Sequence, residues 1–144
     1  DEYIEALIEN ANWNINKGII KKSVRQNLDV KVEGTIKIVE KLKEKYNLIL
    51  LSDHIKEWVE YILSTNKDLE VFKHKYFSYE YGMLKEDEET FKYILEKEKI
   101  LASETIFIDD SESNVKMANR VGIQGIVFKN ARQLKSELNK LHII

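Results

Sequence analysis

Residues 105–114 read Thr-Ile-Phe-Ile-Asp-Asp-Ser-Glu-Ser-Asn: three apolar residues, Ile106, Phe107 and Ile108, run straight into two adjacent carboxylates, Asp109 and Asp110. A short, continuous β-prone run is how a strand buried on both faces of a parallel sheet is written. Ser111 is a good N-cap, and Val115, Ala118 and Val121 follow at helical spacing. The acid pair therefore sits in a strand-to-helix turn, where open α/β sheets place their ligands. Two readings fit it. Adjacent carboxylates repel unless a cation holds them, and hard oxygen donors at one rim suit magnesium. Alternatively, both are solvated turn acids with Ser111 capping.

Upstream of this turn the same alternation repeats. A helix from Gly34 places Ile38, Val39, Leu42 and Tyr46 on one face and delivers the chain to Leu48-Ile49-Leu50-Leu51, a buried strand ending at Ser52. Asp53 can cap the next helix, in which Ile55, Trp58, Val59, Ile62 and Leu63 keep helical period. A third strand is expected over Lys75 to Tyr81 from its aromatic content, closed by Gly82, and Asp87 opens another helix. Downstream come a helix over 112–121, Gly122 as its C-cap, a strand from Gly125 to Phe128 and a helix from about Ala131 to Leu141. Strands alternating with helices from residue 34 onward mean an α/β fold, a parallel sheet with helices on both faces. The first 33 residues differ: Tyr3, Ile4, Leu7 and Ile8 stripe one short helix, Asn12 to Gly18 breaks it, and Ile19, Ile20 and Val24 begin another.

Composition narrows the functional class. The 144 residues carry a formal charge of −2, which offers no basic field for nucleic acid or an anionic membrane. There is no cysteine, so disulfides, thiolate chemistry and cysteine-based zinc sites are excluded. No apolar run approaches the roughly 18 residues that span a bilayer, and the N-terminus does not read as a signal peptide. A cytoplasmic monomer acting on a small molecule is the default expectation. The first residue is Asp1 rather than methionine, so the start of translation is expected further upstream.

Two more strand ends carry groups suited to phosphate. Ser52 and the backbone N–H groups after it, including that of Asp53, lie at a helix N-terminus. Lys85 follows the turn after the third strand, in Gly-Met-Leu-Lys-Glu-Asp. Each alone reads equally as a helix-start serine or a surface lysine. Their order carries more: a hydroxyl, a lysine and paired acids after successive parallel strands all project at one rim of one sheet.

In that order, L-I-L-L-S, G-x-x-K and F-I-D-D-S-x-x-N-V resemble the second, third and fourth motifs of the haloacid dehalogenase-like (HAD) hydrolases, over about Gly34 to Phe128. Trp13 and the Asn16-Lys17-Gly18 turn are similar to the small helical cap of the phosphatase branch. The resemblance implies a Rossmann-like core at 34–144 behind a cap remnant at 1–33. It implies a magnesium-dependent phosphohydrolase acting on a small phosphorylated metabolite, sugar phosphates included, through a phosphoaspartyl intermediate. By the same resemblance Ser52 and Asp53 would hold phosphoryl oxygens, Lys85 would neutralise phosphate and nucleophile, Asp110 would ligate magnesium with Asp109 supporting or sharing it, and Asn114 would orient the acid turn or Lys85. Glu86 departs from the family, which usually has proline there.

The family's first motif, an apolar strand followed by D-x-D that supplies the nucleophile, is not found. Asp1 has nothing before it. Asp29, in Leu-Asp-Val-Lys-Val, follows Arg25, Gln26 and Asn27, which no buried strand would contain, and Lys31 stands where the second acid belongs. In this fold the missing strand is the central one. Its loss would leave two facing rows of backbone groups, each costing about 1–3 kcal/mol if buried unpaired, against total stabilities of roughly 5–15 kcal/mol. The expectation is an upstream segment bearing the nucleophile, without which the 144 residues are inactive. The alternative is a non-catalytic HAD-fold module that binds phosphate or a protein. A signalling receiver domain also carries an acid pair, but after its first strand; here the pair follows three.

Overall fold

The computed structural model describes residues 2–29 and 31–144. In chain order the elements are α1 (Glu2–Asn10), α2 (Lys17–Leu28), α3 (Thr35–Leu42), β1 (Ile49–Ser52), α4 (Lys56–Thr65), β2 (His74–Phe77), α5 (Ser78–Tyr81), α6 (Glu88–Glu98), β3 (Ile106–Asp109), α7 (Glu112–Arg120), β4 (Gln124–Val127) and α8 (Ala131–Lys140). Short 3-10 turns occupy Lys67–Val71 and Ala102–Glu104. Among the described residues no helix is long and apolar enough to cross a membrane.

All four strands pair in parallel, as the alternation requires. β1 lies beside β2 with Ser52 opposite Phe77, and β3 beside β4 with Asp109 opposite Val127. They form two separate two-stranded sheets, and among the described residues no strand joins β1 to β3. The break falls where the resemblance sets the central strand.

The continuous apolar run of β3 divides between two cores, because successive side chains on a strand point to opposite faces. Ile106 and Ile108 pack against Ile38 and Leu42 of α3 and Leu134 and Leu138 of α8. Phe107 faces the other way, onto Phe91 of α6, Ala118 of α7 and Ile123. Phe107 and Phe91 meet edge to face with centroids 5.0 Å apart. Leu51 of β1 joins this second core, so apolar packing bridges the two sheets where no ladder does. Close approach of α7 to β4 depends on Gly125: a Cβ there would lie 2.5 Å from Val115 Cγ1. Ile143 and Ile144 pack against the first core.

Three local expectations change. The third strand stops at Phe77, because Ser78–Tyr81 coils into one helical turn in which Glu80 accepts the Phe77 N–H at 3.4 Å. Helix α3 ends at Leu42, and Tyr46 instead donates its hydroxyl to the Ile143 carbonyl at 3.3 Å. Asp53 does not cap α4, whose N-cap is Ile55 without a side-chain bond, because its carboxylate serves the Lys85 backbone instead. Trp13, in the segment that resembles the cap, is 56% exposed. The two N-terminal helices do fold onto α4. Tyr3 meets Trp58 edge to face at 5.7 Å, Lys21 pairs with Glu57 at 3.0 Å, and the Arg25 guanidinium lies 4.8 Å from the Tyr61 ring centroid.

Candidate functional site

The C-terminal ends of β1 and β3 are tied together by one residue. Lys85 donates its backbone N–H to Asp53 Oδ2 at 3.1 Å and its ammonium to Asp109 Oδ2 at 2.7 Å. The ion pair is mostly shielded, with the two side chains 15% and 7% exposed. The loop that presents Lys85 is itself pinned. Thr90, fully buried on α6, donates its hydroxyl to the Leu84 carbonyl at 2.6 Å, and Asp87 accepts the Leu84 N–H at 3.4 Å.

Asp109 is a buried carboxylate with three donors. Its Oδ1 accepts the Ser111 N–H at 2.9 Å and the Asn114 side-chain amide at 3.1 Å, while Oδ2 takes Lys85. A carboxylate offers about four lone-pair sites, so one remains on Oδ2. Ser111 caps α7 by accepting the Asn114 N–H, which fixes Asn114 where its side chain reaches back to Asp109. Asp110, one residue on, is exposed. The strand thus splits the acid pair into a buried carboxylate held by the protein and an exposed one presented to solvent.

Ser52 is half-buried at the end of β1, beside Asp53. Asp53 has a second, buried oxygen, Oδ1, with no hydrogen-bond partner among the described residues. A carboxylate side chain repels phosphate, so any phosphate contact made by Asp53 falls to its backbone N–H. Glu86 is exposed. Asp29 closes the C-terminal end of α2 and accepts the Tyr61 hydroxyl at 2.8 Å, a position unlike a strand-end nucleophile. Asp1 lies outside the described residues.

Asp109 and Asp110 are two adjacent oxygen donors, and among the described residues no cluster of three or more His, Asp or Glu could enclose a metal. One or two carboxylates, completed by phosphate oxygens and water, is the set magnesium ordinarily draws from a protein. The donor chemistry therefore fits that ion.

His54, Thr90 and Trp58 also belong to this region, and sequence reading gave none of them a role here. His54 follows the Ser52-Asp53 pair, and its ring meets Trp58 at 6.2 Å. Burial, then the nearby Lys85 charge, push its pKa below the usual imidazole value, with Asp53 opposing. The Ser-Asp-His run directly after a buried strand was the available signal.

Comparison with known proteins identifies the family. A D-ribitol-5-phosphate phosphatase from Bacteroides thetaiotaomicron is 28% identical over 103 residues, 67% of this chain and 50% of its own length. The chain thus spans about half of that curated relative. A HAD family enzyme from the same organism, solved as a variant in complex with magnesium and inorganic phosphate, superposes with a TM-score of 0.77 at 29% identity, over 89% of this chain and 66% of that one. A predicted HAD-like hydrolase from Porphyromonas gingivalis shares the fold at 21% identity, with a TM-score of 0.74 over 98% of this chain and 72% of its own. The haloacid dehalogenase-like hydrolase family matches residues 1–128, nearly the whole chain. With its serine, lysine and paired-acid stations gathered at the ends of parallel strands, the chain belongs to the haloacid dehalogenase-like hydrolases.

Proposed function

We propose that this chain is part of a magnesium-dependent phosphohydrolase acting on a small phosphorylated metabolite, with sugar and sugar-alcohol phosphates the leading class. The observation that carries the reading is the double role of Lys85, which joins the rims of β1 and β3 through Asp53 and Asp109. These bonds tie the loop that carries the cation to the residue after Ser52 and its ammonium to the acid turn. The ribitol-phosphate phosphatase relative and the phosphate-bound neighbour support the substrate class.

In this reading residues 1–33 are part of a cap and 34–144 a core whose central strand comes from a segment outside these residues. That segment would fill the gap between β1 and β3 and carry the nucleophilic aspartate. Attack of its carboxylate on phosphorus forms an acyl phosphate and breaks the P–O bond to the alcohol, which leaves with a proton from the second aspartate of the same D-x-D. That aspartate then takes a proton from the attacking water, which releases inorganic phosphate from the acyl phosphate. Ser52 and the following backbone N–H groups hold the phosphoryl oxygens, and Lys85 offsets the charge gathering there. Such positioning and charge neutralisation supply most of the catalysis in phosphoryl transfer. Asp109 keeps the Lys85 ammonium aimed at the rim, and Asn114 keeps Asp109 in place. Asp110, with Asp109 sharing, would hold magnesium, which when bound neutralises phosphoryl charge as a Lewis acid.

Acid quenching of the full-length protein with a labelled phosphomonoester tests the mechanism. The expected result is a hydroxylamine-labile phosphoenzyme whose labelled peptide lies outside residues 1–144. Label on a peptide within these residues contradicts it. Phosphate binding without label or turnover replaces it with the reading of a non-catalytic phosphate-binding module.

A further inference from the structure

A cavity of ≈ 430 Å³ opens beside the phosphate station. Tyr3 of α1, Trp58 of α4, Tyr79 of α5 and His54 form its walls, and Asp53 and Leu84, which flank the Lys85 clasp, also line it. It therefore adjoins the place where Lys85 and Ser52 would meet a phosphate, and its volume suits a small organic group. Tyr3 reaches it from the N-terminal helices and Tyr79 from the turn after β2, so three separate parts of the chain converge there.

Its chemistry is selective. Among the described residues no lysine or arginine lines it, and Asp53 is its one carboxylate. The nearby Lys85 ammonium is already paired with Asp109 and, in the proposed function, meets the phosphate. A second anionic group on a ligand would therefore find no cation of its own among aromatic walls, which is costly. The aromatic walls favour the C–H faces of a neutral chain. The wall also carries polar atoms without partners: no hydrogen bond engages either His54 ring nitrogen among the described residues. A neutral imidazole offers one donor and one acceptor, and a hydroxyl matches both. The lowered pKa of His54 keeps that neutral form dominant near pH 7.

We propose that this cavity seats the organic part of the substrate and that His54 is a specificity-determining residue, hydrogen-bonding hydroxyls of an uncharged polyol chain while the site rejects a second anionic group. The proposal rests on the phosphohydrolase reading and adds to it which residue reads the leaving group.

Calorimetric binding of non-hydrolysable phosphonates to the full-length protein with magnesium tests it without turnover. Methylphosphonate reports the phosphate station alone, a five-carbon alditol phosphonate adds hydroxyls, and 3-phosphonopropionate adds a carboxylate. The wild type is expected to bind the alditol compound at least 10-fold tighter than methylphosphonate, and 3-phosphonopropionate no tighter than methylphosphonate. His54→Ala should bring the alditol compound within 3-fold of methylphosphonate, whose own affinity changes less than 2-fold; His54→Gln, which keeps a donor and an acceptor, should restore part of the preference. Equal losses for both ligands in His54→Ala, or tight binding of 3-phosphonopropionate, overturn the assignment. Hydrolysis of the alditol phosphate that His54→Ala leaves unchanged overturns the assignment alone. The expected binding pattern without any hydrolysis keeps it and removes the hydrolase reading. Failure of every phosphonate to bind overturns both.

Discussion

At the scale of single residues, the two adjacent aspartates part company. Asp110 is exposed at the turn, so Asp110→Asn is expected to change stability by no more than about 0.5 kcal/mol, read by denaturant unfolding, while abolishing magnesium-dependent turnover. Lys85 differs, because removing it leaves Asp109 buried with its charge unpaired. Lys85→Met should cost about 3–5 kcal/mol of stability and lower kcat/KM by about 10²–10³-fold. The acid pair, Ser52 and Lys85 were legible in the sequence through their order: Ser52 and Asp109 end their strands, and Lys85 follows the turn that Gly82 closes. The division of labour within the pair was not, since it depends on which oxygen Lys85 and Asn114 reach. Asp53 was misread for the same kind of reason: a helix-start aspartate is an ordinary cap, and nothing local reveals that Lys85, 32 residues away, would claim its carboxylate.

At the scale of elements, strand β2 is anchored to the end of α6 by Glu98. Its carboxylate accepts the Tyr76 hydroxyl and lies 2.5 Å from His74 Nδ1. Burial alone would raise the Glu98 pKa, but the bonds from Tyr76 and His74 outweigh it and bring it below the ordinary carboxylate value of 4.5. A depressed pKa contributes stability that is present above the unfolded value and lost as pH falls through the folded one. Glu98→Gln should therefore flatten the acid limb of a pH–stability curve below about pH 4.5. Tyr76 is pushed up to about 12 by burial and by Glu98. Its contribution runs the other way, present below pH 10 and lost as pH rises toward 12, so Tyr76→Phe should flatten the alkaline limb. Gly125→Ala supplies a packing test: the added methyl meets Val115 Cγ1 at 2.5 Å and the Val115 carbonyl at 3.1 Å. Thermal unfolding should report a loss of about 1–3 kcal/mol. Helical period made the larger helices easy to find in sequence. The end of β2 was hidden because His-Lys-Tyr-Phe and Ser-Tyr-Glu-Tyr are both aromatic, and the bond from the Phe77 N–H to the Glu80 carboxylate accompanies the turn at which pairing stops.

At the scale of the whole molecule, two parallel ribbons share a core and a lysine clasp but no ladder between β1 and β3. The missing pairing was legible only through the resemblance, because the family's fold sets a D-x-D-bearing strand between those that end at Ser52 and at the acid pair, and that motif was not found in the sequence. The cavity was not, since it is assembled from Tyr3, His54, Trp58 and Tyr79 on separate elements. The most direct measurement is phosphate release from a phosphomonoester by the full-length protein, with and without magnesium, beside Asp110→Asn. The account predicts turnover that requires the ion and disappears in the variant. Turnover that persists in Asp110→Asn, or none from a folded, phosphate-binding full-length protein, would contradict it.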